Sequence, residues 1–89
     1  MKQRVLITGA SGGFGTLISK QLLADGHTVI ASMRGVSGKN QAKAADLQAA
    51  GAHVVEIDVT DQSSVDSGIA QAMEQAGGID VVVNNAGVG

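Results

Sequence analysis

The sequence has 89 residues, of which 44% are hydrophobic and 16% are charged, and it contains no proline and no cysteine. This composition is typical of a folded domain rather than a disordered segment, and the length suits one small domain or part of a larger one. The net charge of −2 and the single aromatic residue exclude a basic, aromatic surface for nucleic acid, and the lack of cysteine excludes disulfides and thiol chemistry.

Signals for targeting and for membrane insertion are absent from the sequence pattern. The apolar run at residues 5–7 is too short for the core of a signal peptide. No apolar stretch approaches the roughly 18 residues that a membrane-spanning helix needs. A soluble, cytoplasmic protein is therefore expected, with no membrane or nucleic-acid partner.

The first third of the chain alternates between strand and helix patterns. Residues 4–8 form a short apolar run that Gly9 closes, which predicts a buried strand. The apolar residues that follow share one face of a predicted helix: Phe14, Leu17, Ile18 and Leu22. Gly26 stands where the C-terminal cap of that helix belongs, and residues 27–33 predict the second strand.

The same alternation continues through the rest of the chain. An alanine-rich helix is predicted at residues 39–50, and residues 53–58 predict the third strand. Thr60 is interpreted as the N-cap of a third helix. The apolar stripe of that helix is regular: Val65, Ile69, Ala72, Met73 and Ala76. Residues 79–84 predict the fourth strand.

Four glycines lie between the first strand and the first helix. Gly9 can adopt the positive φ of a tight turn, Gly13 lets a diphosphate approach the backbone, and Gly15 allows the helix to pack closely on the sheet. The first N–H groups of the helix then face the anion. An ordinary glycine-rich turn would look similar in isolation, but the strand, the turn and the helix occur here together, which favours nucleotide binding.

The alternating elements predict an α/β fold with parallel strands joined by right-handed crossovers. Together with the glycine turn, they predict a Rossmann-type doubly wound parallel sheet whose four strands lie in the order 3-2-1-4. The first two helices are expected on one face of the sheet and the third on the other. Residues 1–89 are interpreted as the N-terminal part of a dinucleotide-binding domain.

Three motifs, in this order, resemble the ordinary (non-extended) short-chain dehydrogenases/reductases. Residues 8–15 (T-G-A-S-G-G-F-G) match the family's T-G-x-x-x-G-x-G fingerprint, although Phe14 stands where the family usually has isoleucine or leucine. Asp58 and Val59 follow the third strand, where the family has an acidic residue in contact with adenine. Residues 84–87 (N-N-A-G) match the family's motif after the fourth strand. The resemblance covers the whole chain.

The resemblance implies cofactor-binding residues on four loops. They are Gly9, Ser11, Gly12, Gly13, Phe14, Gly15, Arg34, Asp58, Val59, Asn85, Ala86 and Gly87. Asp58 would accept a hydrogen bond from the adenine amino group, and the alternative is a carboxylate that caps the turn into the third helix. Asn84 and Asn85 would brace the central strands and place Ala86 and Gly87 beside the adenosine ribose.

The end of the second strand bears on which nucleotide is bound. An acidic residue there would favour NAD, because it would accept hydrogen bonds from the ribose hydroxyls. The chain instead reads Ser32-Met33-Arg34, and a guanidinium suits a 2′-phosphate, so NADP is predicted rather than NAD. NADP-preferring members of the family often carry a second basic residue just before the middle glycine, where this chain has Gly12. The prediction therefore depends mainly on Arg34, and a solvated loop arginine is the alternative.

In the family that the chain resembles, a serine and a Tyr-x-x-x-Lys motif perform the chemistry. The sequence contains no tyrosine, so the catalytic half is predicted to be absent, no catalytic residue is assigned, and no turnover is expected from this chain alone. The parent protein is expected to reduce carbonyls or oxidise alcohols with NADP(H). A stand-alone module that binds a nucleotide without chemistry is the alternative. No histidine and carboxylate pair at helical spacing indicates a metal site.

The predicted fourth strand also suggests self-association. It is apolar on both sides, and its outer edge has no predicted neighbour, which favours pairing with another chain. A dimer or larger assembly is expected, in which this edge or the sheet face beside it is buried.

Overall fold

Strands and helices alternate along the chain in the computed structural model, which describes residues 2–85. The strands are β1 (Arg4–Ile7), β2 (Thr28–Met33), β3 (His53–Glu56) and β4 (Val81–Val83). The helices are α1 (Gly13–Ala24), α2 (Gln41–Ala49) and α3 (Gln62–Ala76). All strand pairs are parallel and the sheet order is β3-β2-β1-β4, which confirms the predicted Rossmann-type α/β sheet.

The core consists of two apolar layers, because successive side chains of a strand point to opposite faces of the sheet. On one face, α1 and α2 cover alternate residues of β1 and β2: Val5, Ile7, Val29, Ala31 and Met33. On the other face, α3 packs against Leu6, Ile30 and Val55. The predicted distribution of the helices, two on one face and one on the other, is confirmed.

The buried face of α1 differs from the predicted one. Phe14 and Leu17 are 61% and 68% exposed. Gly15 and Ser19 are buried instead, with Ile18 partly buried beside them. Leu17 lies about half a turn from Gly15 on a helix with 3.6 residues per turn, so the two cannot face the sheet together. The small residues face inward because they let the helix axis approach the strands closely.

Helix α3 departs from prediction at two positions. Met73 is 48% exposed rather than buried, whereas Ala72 is fully buried against the sheet. The N-cap is Asp61 and not Thr60, because Asp61 Oδ1 accepts bonds from the backbone N–H groups of Ser63 (3.1 Å) and Ser64 (3.4 Å). The carboxylate thereby satisfies donors that the helix itself leaves unpaired.

The third and fourth strands are shorter than the predicted runs. Strand β3 ends at Glu56, and β4 is confined to Val81–Val83. The backbone N–H of Ile57 still donates to Met33 O at 3.1 Å, which keeps the end of β3 level with the end of β2. Asp58 and Asn84 therefore follow the carboxyl ends of their strands, at the edge where doubly wound sheets bind ligands.

Candidate functional site

The glycine turn after β1 is held by backbone hydrogen bonds. Gly9 leaves the strand with a φ of +63°, a conformation that glycine adopts without steric cost. The next residue is tied to the neighbouring strand, since Ala10 N donates to Ser32 O at 2.9 Å. Gly12 N donates back to Gly9 O at 3.2 Å, and Thr16 Oγ1 donates to Ala10 O at 2.8 Å. These bonds fix the path of the chain into α1.

Two glycines of the turn have opposite surroundings. A Cβ on Gly15 would lie 2.7 Å from both Gly9 O and Asn85 Nδ2, so only glycine fits there. A Cβ on Gly13 would meet nothing within 4 Å, so the backbone at Gly13 faces open space. The predicted packing role of Gly15 is therefore visible in the contacts, and the surface at Gly13 is open to a ligand.

The N-terminus of α1 has no side-chain cap. Its N-cap residue is Gly12, which has no side chain to accept a bond, and the first turn contains no acidic residue. No carboxylate on the N-cap or in the first turn therefore accepts hydrogen bonds from these N–H groups or offsets the positive end of the helix dipole. This is the electrostatic arrangement that favours an anion, such as a diphosphate.

The segment after β4 is bonded to the segment after β1. Asn85 N donates to Thr8 Oγ1 at 2.9 Å, and Asn85 Nδ2 donates to Gly9 O at 3.2 Å. Thr8 Oγ1 donates in turn to Asn84 Oδ1 at 3.1 Å. The two amides thus support the first residues of the glycine turn from the neighbouring strand. The predicted residues Ala86 and Gly87 lie outside the described part of the chain.

A cleft of about 370 Å³ opens along the carboxyl ends of the strands, within the range of ligand pockets. It is lined by seven residues that the sequence assigned to the site: Gly9, Ser11, Gly12, Arg34, Asp58, Val59 and Asn85. Three others, Gly13, Phe14 and Gly15, are not part of this lining. The lining also contains residues that the sequence reasoning missed: Met33, Lys39, Asn40, Ile57 and Thr60.

Arg34 is the first exposed residue after β2, and the loop that carries it is anchored on both sides. The carboxylate of Glu56 accepts from Gly35 N through Oε2 and from Val36 N through Oε1, each at 2.9 Å. Asn40 Nδ2 donates to Arg34 O at 2.6 Å. The backbone of the loop is thereby fixed, and Arg34 is an exposed residue that lines the cleft.

Asp58 caps the turn into α3 and is at the same time part of the cleft. Its Oδ1 accepts from Thr60 Oγ1 at 2.6 Å and from Thr60 N at 3.0 Å. The bond from the Thr60 hydroxyl is the main cause that lowers the pKa of Asp58, followed by the backbone bond, and attraction to Arg34 contributes less. Both described bonds reach the same oxygen, so the turn-capping role and a contact through Oδ2 are compatible.

A family model described as short chain dehydrogenase matches residues 3–89. The chain belongs to the short-chain dehydrogenase family. Among curated relatives, the 3-oxoacyl-acyl-carrier-protein reductase FabG of Staphylococcus aureus is 34% identical, in an alignment that covers 99% of this chain and 37% of that protein. The L-2,3-butanediol dehydrogenase of Corynebacterium glutamicum is 37% identical, and the alignment covers 99% of this chain and 35% of that protein.

Solved structures of similar fold also include reductases. A crystal structure of actinorhodin polyketide ketoreductase with NADPH superposes with a TM-score of 0.82 at 31% identity, covering 94% of this chain and 33% of that one. A 3-ketoacyl-(acyl-carrier-protein) reductase from Brucella melitensis, complexed with NADH, gives 0.76 at 29% identity, covering 90% and 32%. The chain spans little more than a third of the length of the curated relatives it matches.

Residues 2–85 contain neither a candidate metal cluster nor a helix suited to a membrane. No group of three or more histidine, aspartate or glutamate side chains lies close enough together to hold a metal ion there. Within the same residues, no helix has both the length and the apolar character needed to cross a membrane.

Proposed function

We propose that this chain is the nucleotide-binding part of an NADP(H)-dependent short-chain oxidoreductase. The family and the reductases among its relatives support a nicotinamide dinucleotide as the cofactor. The similar structures include three with NADPH or NADP⁺ and one with NADH, so both forms of the cofactor occur among them. The choice between them rests on the residues of the cleft.

Arg34 is the observation that carries the preference for NADP. It follows β2 directly and lines the cleft, where a guanidinium can form two parallel bonds to a phosphate. The two residues just before it offer no acceptor to the ribose hydroxyls, because Met33 and Ser32 are both buried. A carboxylate on residues 32–34 would repel a 2′-phosphate, and none of them is acidic; the Glu56 carboxylate that reaches the next residues accepts bonds from Gly35 N and Val36 N.

The motifs shared with the family suggest where the rest of the cofactor would lie. The diphosphate would lie against the glycine turn, beside Gly13 and the uncapped N-terminus of α1. Asp58 and Val59 would flank the adenine, with Asp58 accepting from its amino group. Asn85, with Ala86 and Gly87 after it, would adjoin the adenosine ribose. The bound nicotinamide would supply or accept the hydride that the reaction transfers.

The parent activity we propose is carbonyl reduction or alcohol oxidation. This chemistry needs a group that exchanges a proton with the substrate oxygen, and the family uses a tyrosine for it. Because the 89-residue sequence contains no tyrosine, we expect the purified chain to bind the cofactor without turning over substrate.

Titration calorimetry with NADP⁺ and with NAD⁺ tests the cofactor preference. The chain should bind NADP⁺ more tightly, and Arg34→Gln should weaken NADP⁺ binding about tenfold, the order of a hydrogen bond to a charged group. Binding of NAD⁺ should change little. Lys2→Gln is the matched control, since it removes a positive charge from an exposed residue just before β1, at the opposite ends of the strands. Equal affinity of the unsubstituted chain for the two dinucleotides would refute the NADP preference.

A further inference from the structure

A lysine from α2 contacts the glycine turn, although 32 residues separate them in the sequence. Lys43 Nζ donates to Ser11 O at 2.7 Å. The ammonium group is thereby held next to Gly12, the residue just before the middle glycine of the turn. Gly12 has no side chain, so α2 provides a positive charge that the turn itself cannot carry.

A second lysine lies on the loop between Arg34 and α2. Lys39 lines the cleft together with Arg34 and Ser11. Its Cγ is 3.3 Å from the position that a Cβ on Gly35 would occupy, so the aliphatic stem packs along the loop backbone. The stem of Lys39 thus lies against the loop that Glu56 and Asn40 hold in place.

The charges around this end of the cleft are unbalanced in favour of cations. Three basic side chains come from neighbouring parts of the chain: Arg34 directly after β2 and Lys39 on the following loop line the cleft, and Lys43 reaches the glycine turn from α2. They outnumber the two nearby carboxylates, Glu56 and Asp58, whose oxygens already accept bonds from backbone N–H groups and from Thr60. Ribose hydroxyls need no such excess of positive charge, whereas a phosphate group with about two negative charges does.

We propose that Lys39 and Lys43 determine specificity for a 2′-phosphorylated adenosine. Lys43 supplies, from α2, the charge that a basic residue at position 12 would supply. It is held in place by its bond to Ser11, so its charge is positioned before the ligand arrives. Lys39 extends the phosphate site of Arg34 along the loop. This inference rests on the proposed function, and it adds two residues that the motifs do not include.

A purely structural role for Lys43 would have a different signature. If the lysine only tethers α2 to the turn, its loss weakens the packing of the site and affects every adenine nucleotide alike. If its charge acts on the 2′-phosphate, its loss affects the phosphorylated ligand selectively. The ratio of the dissociation constant for the unphosphorylated ligand to that for the 2′-phosphorylated ligand therefore separates the two roles.

The experiment uses two ligands that differ only in the 2′-phosphate, adenosine 2′,5′-bisphosphate and adenosine 5′-monophosphate. Each is titrated against the full chain and against Lys39→Met, Lys43→Met and Lys43→Gln. The glutamine variant retains an N–H donor for Ser11 O while removing the charge. Lys20→Met is the matched control, because Lys20 is an exposed helical lysine that pairs with Asp46 away from the cleft.

We expect each variant of Lys39 and Lys43 to reduce the preference for the bisphosphate about fivefold, the size of an exposed ion pair, and Lys20→Met to leave it unchanged. Lys43→Gln should lose as much preference as Lys43→Met. An unchanged ratio in the lysine variants, or an equal loss for both ligands, would overturn this inference while leaving the Arg34 assignment intact. If the unsubstituted chain bound the bisphosphate no more tightly than the monophosphate, the NADP assignment itself would be overturned.

Discussion

Gly13 and Gly15 lie two residues apart in one turn, yet an added methyl group should affect them in opposite ways. At Gly15 the methyl would press on the Gly9 carbonyl and on Asn85 Nδ2. We expect Gly15→Ala to lower the free energy of unfolding by about 1–3 kcal/mol, the usual cost of overpacking. Urea unfolding of the purified variant measures this directly.

The matched variant Gly13→Ala should leave stability unchanged or slightly improved. The added methyl meets nothing within 4 Å, and alanine is the better helix former. Gly13→Ala should instead weaken nucleotide binding, because the methyl group occupies the space that the diphosphate would approach. If Gly13→Ala bound NADP⁺ normally, the diphosphate would have to lie elsewhere on the turn.

At the scale of elements, an ion pair joins the beginnings of β1 and β4. The guanidinium of Arg4 donates to both carboxylate oxygens of Asp80, through Nη2 at 3.0 Å and Nε at 3.1 Å. Asp80 Oδ2 also accepts from Arg4 N at 2.8 Å, and Arg4 Nη1 donates to Gly77 O at 2.7 Å. The pair therefore links two strands and the end of α3 in one bonded group.

The pKa of Asp80 is lowered, first by the side-chain bond from Arg4 and then by the backbone bond from Arg4 N. A carboxyl group whose pKa falls on folding stabilises the protein above its unfolded pKa of about 4, and the contribution is lost as the pH drops through the lowered value. Asp80→Asn should therefore lower the melting temperature at pH 7. The difference from the unsubstituted protein should shrink at about pH 3.

Asp66→Asn provides the comparison for this prediction. The Asp66 carboxylate accepts from Gln62 within α3 and links no second element. Its replacement should change the melting temperature less at pH 7. If the difference in melting temperature between Asp80→Asn and the unsubstituted protein stayed constant from pH 7 to acid pH, the ionised carboxylate would have no stabilising role.

At the scale of the whole molecule, the edge of the described sheet at β4 presents an apolar surface. Val82 is the register partner of Leu6 and lies on the same face of the sheet as α3, but it is 57% exposed. Among residues 2–85, β4 pairs with β1 alone, so its other edge presents unpaired backbone groups. An exposed apolar strand edge favours pairing with another strand. We expect a second copy of the chain to cover it.

Light scattering at tens of micromolar concentration tests this expectation. The chain should form a dimer or larger assembly, and Val82→Lys should shift it towards the monomer, because a charge on an edge strand opposes strand pairing. Leu17→Lys is the control, since Leu17 is equally exposed but lies on α1, on the opposite face of the sheet. A stable monomer of the unsubstituted chain, or equal effects of the two substitutions, would contradict a role for the β4 edge.

The sequence by itself determined the order of elements, the parallel sheet and the position of the glycine turn. These features depend on local information: the period of apolar residues gives the element type, and a glycine between strand and helix gives the turn. The strand order 3-2-1-4 then follows from the handedness of the crossovers and the turn motif. The motifs also placed Arg34, Asp58 and Asn85 at one edge of the sheet, where the structure brings them into one cleft.

Only the tertiary structure decided which apolar residues are buried and which polar residues complete the site. Periodicity groups Phe14 and Leu17 with Ile18, but the close approach of α1 to the sheet buries the row of Gly15 and Ser19, of which the sequence indicated only Gly15. The contacts of Lys43 with Ser11 and of Glu56 with Gly35 join residues 32 and 21 positions apart. Such contacts depend on strand register and helix placement, which the local pattern of the chain does not record.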